Sequence, residues 1–174
     1  MKRRISFPAL AFFIFAALVA STQSSSAVVP DHGPTASGQG EFTVIVPGEF
    51  GIEHWTYSFD ASANKNGQAR GRAVFDIVQN SIQTQVVVKI NCLEVVVSSG
   101  IASAFFSGTV LHSDDPEFPK RANVIFGAED SSGAPTVLPD IITRAFVFEG
   151  VDCHDGLFPL THALQPPDAI HIEP

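Results

Sequence analysis

Residues 54–61 read His54-Trp55-Thr56-Tyr57-Ser58-Phe59-Asp60-Ala61, an unbroken alternation. Trp55, Tyr57, Phe59 and Ala61 fall on one parity, and His54, Thr56, Ser58 and Asp60 on the other. Successive side chains of a β-strand point to opposite faces, so this stretch is a strand with one face in a core and the other in water. Asn64-Lys65-Asn66-Gly67 follows, residues that tolerate positive φ and so supply a turn. A second strand is then expected over Ala69 to Val78, with Ala73, Phe75 and Ile77 inside and Arg70 and Arg72 outside.

Outward from this hairpin the same grammar repeats. Ile82 to Val97 carries Ile82, Val86, Val88, Ile90 and Cys92 on one parity, then shifts to Leu93, Val95 and Val97. A change of face by one residue is what a bulge produces, so one is expected near Cys92 to Glu94. Further strands are expected at Glu41 to Val46, Ile101 to Leu111, Ala122 to Ala128 and Thr143 to Glu149. Seven strands with hairpin-length connections predict an all-β fold, a single antiparallel sandwich or small barrel. The β-domain is assigned to residues 41–155. Residues 28–40, rich in Gly, Pro, Ser and Thr, read as a flexible leader, and residues 156–174, with Pro166-Pro167, as an extended tail.

The first 27 residues have the three parts of an export signal in order: Lys2, Arg3 and Arg4, the apolar run Ala9 to Ala20, then small polar residues. At about 12 residues that run is shorter than the roughly 20 a membrane-crossing helix needs, so no stable membrane anchor is expected once it is removed. Cleavage after Ser25-Ser26-Ala27 would leave Val28 first, and a cut after Ala20 is the alternative. Removal takes away three of the ten Lys and Arg and none of the 18 Asp and Glu, moving the formal charge from −8 to −11. The remaining cations are scattered along the chain, which excludes nucleic acid as an expected partner. In an exported chain the two cysteines suggest one bridge, Cys92 to Cys153, the alternative being two buried thiols.

Six His and 18 acids invite a search for reactive groups. His112-Ser113-Asp114-Asp115-Pro116-Glu117 lacks the spaced ligands of a calcium loop and reads as a solvated acidic loop. Glu129-Asp130-Ser131-Ser132-Gly133 reads as a turn. Cys153-His154-Asp155 puts a nucleophile beside a base, but neighbours in a strand point to opposite faces. His162 and His171 lie in the tail without a ligand partner at fixed spacing. There is no Gly-x-Ser-x-Gly elbow and no phosphate loop. Arg70, Arg72 and Asp76 form a solvated stripe. No catalytic residue, cofactor or metal site is expected.

Phe42-Thr43-Val44, Phe59-Asp60-Ala61, Gly67 followed by Gly71 and Phe75, Val88 to Val95, and Ala102 to Gly108-Thr109-Val110 together resemble a group of small exported bacterial β-domains of the post-COAP-1 type. The resemblance covers about Glu41 to Cys153 and departs around Asp130 to Asp140, where those domains have a more Gly-rich acidic turn. It implies export, a β fold and the Cys92–Cys153 link, and supplies no site residues. The expected function is a non-enzymatic secreted β-domain with an interaction or envelope-structural role and an unspecified partner. A barrel holding a small apolar ligand is the alternative, and a secreted isomerase or hydrolase the third.

Overall fold

The computed structural model describes residues 33–46, 51–64, 68–134, 136, 138–155 and 162–174. The expected signal peptide, 1–27, lies outside them. The chain is all-β: one antiparallel sheet curled into a half-barrel. Its strands are β1 (Thr35–Val46), β2 (Gly51–Ala63), β3 (Ala69–Gln79), β4 (Ile82–Ser98), β5 (Ile101–Ser113), β6 (Asn123–Asp130), β7 (Asp140–Thr143), β8 (Phe146–Val147), β9 (His162–Gln165) and β10 (Ile170–Glu173). In the sheet they run β10-β1-β2-β3-β4-β5-β6-β7-β9, with β8 also on β6. The only helical turn among the described residues is a 3-10 turn at Cys153–Asp155.

The alternation read at residues 54–61 extends over the whole of β2, where every odd residue from Gly51 to Ala63 is buried and every even one exposed. Two-residue turns join β3 to β4 and β4 to β5. Asn80 and Ser81 both have positive φ, as do Ser99 and Gly100, the geometry whose twist matches that of the flanking strands. The expected bulge lies between Ile90 and Cys92, and a second register shift follows Val87. Across it Ile90 and Leu93 both face the core, so the strand keeps its apolar side inward after the extra residue.

Three expectations about extent are corrected. The described residues form ten strands rather than the expected seven. The leader was assigned to residues 28–40, yet Thr35–Gly40 belong to β1, paired with β2 along one side and β10 along the other. Glycine there makes room rather than disorder. Gly38 and Gly40 stand opposite Phe59 and Tyr57, and a Cβ on Gly38 would come within 2.8 Å of the Phe59 ring. The tail, 156–174, contributes β9 and β10, because Pro166 and Pro167 stay outside both strands while Ile170 and Ile172 alternate with His171 and Glu173.

The concave face is filled by interlocked rings. Phe106 and Phe126 stack at 4.4 Å, Phe59 meets Phe106 edge-on at 5.1 Å, Phe75 meets Phe126 at 5.3 Å, and Trp55 meets Phe75 at 5.7 Å. Each of these rings is at least 95% buried, and such geometries add about 0.5–1.5 kcal/mol per pair beyond the area they remove from water.

The ends of the curled sheet are tied by side chains. The Ile170 and Ile172 amides, pointing away from β1, donate to Asp140 Oδ2 and Asp130 Oδ2, each at 3.0 Å. Gln165 of β9 accepts from the Tyr57 hydroxyl at 3.1 Å and donates to the Glu41 carbonyl at 3.2 Å. Two carboxylates and an amide thus satisfy backbone groups that an open edge would leave unpaired.

Candidate functional site

At the end of the curl where β2 begins, Glu53 shares the inward parity of Trp55 and is almost fully buried. A carboxylate there must be compensated, and three donors converge on it. Trp55 Nε1 donates to Oε2 at 2.8 Å, while Arg144 Nη2 and Gln79 Nε2 donate to Oε1 at 3.1 and 3.4 Å. Arg144, between β7 and β8, also donates to Glu117 Oε2 at 2.9 Å. Its guanidinium carbon lies 5.5 Å from the Trp55 ring centre and 5.4 Å from that of Phe146. Arg144 therefore joins a buried acid, an exposed acid and two aromatic faces, and its Nε is buried with no hydrogen-bond partner. A cleft of about 210 Å³ opens beside the cluster, lined by Glu53, Gln79, Thr84, Asp115 and Glu117 among others. Each oxygen of Glu53 already accepts a hydrogen bond and Oε1 pairs with Arg144, so the side chain is fixed in place by the fold.

The second group of buried acids is the seam. Asp130 Oδ1 accepts the Ser132 amide at 2.9 Å, and Asp140 Oδ1 accepts the Ser131 amide at 3.1 Å. Burial pushes the Asp130 carboxyl upward, but bonds from the Ser132 hydroxyl and amide, the Ile172 amide and the charge of His171 outweigh it and hold it below the usual carboxylate range. Burial, and then the Asp140 charge, push the Tyr57 phenol well above its ordinary value.

Cys92 and Cys153 are joined as a disulfide with Cα atoms 5.8 Å apart, linking the bulge of β4 to the 3-10 turn. His154 lies near both sulfurs and pairs with Glu94 at 3.3 Å on the surface; with the sulfurs bonded to each other, neither is a thiolate ligand or nucleophile. His112 pairs with Asp114 at 3.4 Å, both exposed. Asp115 is tied down, accepting from Thr84 Oγ1 at 3.2 Å and from the Glu117 amide at 2.9 Å. His171 faces Glu173 and Asp130 at 3.2 and 3.8 Å, and the side chain of His162 lies outside the described residues. Of the stripe Arg70, Arg72 and Asp76, only Asp76 has a partner among the described residues, Gln85 Nε2 at 2.8 Å.

Sequence reasoning missed Glu53 with Arg144, and Asp130 with Asp140. The signal was parity: Glu53 stands two residues before Trp55, and Asp130 extends the buried series Val124, Phe126, Ala128. An acid on an inward parity demands a buried partner. No family model, curated protein or solved structure matches this chain. Among the described residues no helix is long and apolar enough to cross a membrane.

Proposed function

We propose that the chain is an exported, non-enzymatic β-domain that acts through its outer surface, in an interaction or envelope-structural role. The observation that carries this reading is the aromatic filling of the concave side, where Trp55, Tyr57, Phe75, Phe106 and Phe126 occupy the volume a carrier barrel would leave for its ligand. The occupied oxygens of Glu53 and the disulfide at Cys92 and Cys153 favour the same reading, since each reactive group is committed to the fold. The outward parity of β2 and β3 offers His54, Thr56, Ser58, Asp60, Arg70 and Arg72 beside Ile52, Val74 and Val78, a face with more polar than apolar residues and so better suited to water than to lipid. The basic start, the apolar run and the disulfide support an oxidising compartment outside the cytoplasm, as does the resemblance to post-COAP-1 type domains.

Titration with a fluorescent fatty acid tests the choice between surface and interior. Binding that does not saturate up to the probe's solubility is the expected result. Saturable one-to-one binding at micromolar concentration would overturn the reading in favour of an apolar-ligand carrier.

A further inference from the structure

The seven cations that follow residue 27 are dispersed in the sequence, but the fold gathers three of them. Arg70 and Arg72 are successive outward residues of β3, and Lys89 of β4 is the direct cross-strand partner of Arg72. Adjacent strands lie about 4.8 Å apart and alternate residues about 6.7 Å, so the three side chains share one small area. All three are exposed, and none has an ion pair or side-chain hydrogen bond among the described residues. Asp60 stands opposite Arg72 on the other side without pairing with it, and Asp76 is engaged by Gln85. Like charges placed directly opposite across strands destabilise a sheet, so Arg72 facing Lys89 is a cost that a bound anion would relieve.

Arg72 also lines a second feature. An open groove of about 530 Å³ crosses the outer face of β10, β1, β2 and β3, bordered by Ser37, Gln39, Ser58, Arg72 and His171 and by two carboxylates, Asp60 and Asp168. Its lining offers hydroxyls and an amide, and the cationic cluster begins at its Arg72 end. We propose that this groove and cluster bind an acidic polysaccharide of the uronate class. Sugar hydroxyls hydrogen-bond to Ser37, Gln39 and Ser58, and carboxylates sit against Arg70, Arg72 and Lys89, with arginine supplying the paired donors that match a carboxylate. A nucleic acid fits less well, because the groove lining holds no exposed aromatic ring for base stacking. A protein partner would call for a large exposed aromatic or apolar anchor at the centre of the patch, and the apolar outward residue beside Arg72, Val74, is only partly exposed. Long-range repulsion by the net charge is damped beyond about 8 Å at physiological salt, so the local cluster governs contact.

The proposal rests on the surface-acting reading above, and its failure is distinguishable from the failure of that reading, which the fatty-acid titration measures separately. The test is fluorescence anisotropy of the full chain with a labelled oligogalacturonate. A neutral malto-oligosaccharide and an oligothymidylate serve as the other arms, each at about 30 and about 300 mM NaCl. Saturable binding of the oligogalacturonate alone, weakened by salt, is expected. Arg70→Gln, Arg72→Gln and Lys89→Gln combined should lower its affinity about tenfold or more, while Lys120→Gln with Arg121→Gln leaves it within about twofold. Because the triple variant removes like-charge repulsion on the surface, its melting temperature should be equal or higher, which separates lost binding from lost folding. Absence of saturable binding, an equal loss in the Lys120/Arg121 variant, or equally tight binding of the oligothymidylate would each overturn the assignment.

Discussion

Replacing Asp140 by alanine removes one of the two carboxylates that tie the free side of the C-terminal strand to β6 and β7. Asp140 is 1% exposed, and its two oxygens serve the Ser131 amide and hydroxyl on one side and the Ile170 amide on the other. The Ser131 hydroxyl keeps the Leu138 carbonyl at 2.6 Å, so the variant strands two buried amides. At about 1–3 kcal/mol for each unsatisfied group, the expected loss is about 4 kcal/mol, or roughly 15 °C in melting temperature for a domain of this size. Asp140→Asn is no rescue: its single carbonyl oxygen can serve Ser131 or Ile170 but not both, and its amide then faces a donor, so about 2–3 kcal/mol is still lost. Urea unfolding followed by the fluorescence of the single tryptophan, Trp55, measures the loss, and amide exchange at Ile170 and Ile172 locates it. Combining it with Asp130→Ala should cost less than the sum of the two, since both carboxylates secure one strand. A change under about 0.5 kcal/mol with unaltered exchange at Ile170 would refute the role given to the seam.

Cys92→Ser and Cys153→Ser should each destabilise by about 2–4 kcal/mol, the double variant being little worse, because a bridge closing a loop of 61 residues is lost in every case; thiol titration of the unfolded, unreduced protein should find none. Arg144→Met should cost about 3 kcal/mol by leaving Glu53 buried without its cation, whereas Glu117→Gln at the exposed end of the same pair should cost under about 1 kcal/mol, both read by urea unfolding. Asp130 is held below its unfolded value, so its contribution is complete above about pH 4 and is lost as pH falls further; Asp130→Asn should flatten that acid limb of the stability profile. Tyr57 is raised above its unfolded value, so its contribution is whole below about pH 10 and fades as pH rises; Tyr57→Phe should remove that alkaline limb at a cost of about 1 kcal/mol for the Gln165 bond.

Much of the sheet was legible because burial of one face imposes a period of two that no other element shares. The β2 alternation, the start of β5 at Ile101 and the face change beside Cys92 all follow from it. What failed was reading composition in place of parity. Gly38 and Gly40 looked like linker residues, yet they are small because Phe59 and Tyr57 need the space across the ladder. Ile170 and Ile172 were hidden behind Pro166-Pro167, although two alternating isoleucines were enough for a short edge strand. The buried acids escaped for a deeper reason: a strand pattern says that Glu53 and Asp130 face inward but not what meets them. Their partners, Arg144 and the Ile172 amide, come from segments 91 and 42 residues away. The cationic cluster is of the same kind, since Arg72 and Lys89 meet only once the register of β3 on β4 is known.

Native mass spectrometry of protein purified from exporting cells tests the proposal that the inside of the curl is filled and that the molecule acts from its surface. The expected mass is that of the polypeptide starting near Val28, less two hydrogens for the Cys92–Cys153 bridge, with nothing retained. A stoichiometric adduct of small-molecule size, held under native conditions and released on unfolding, would contradict it.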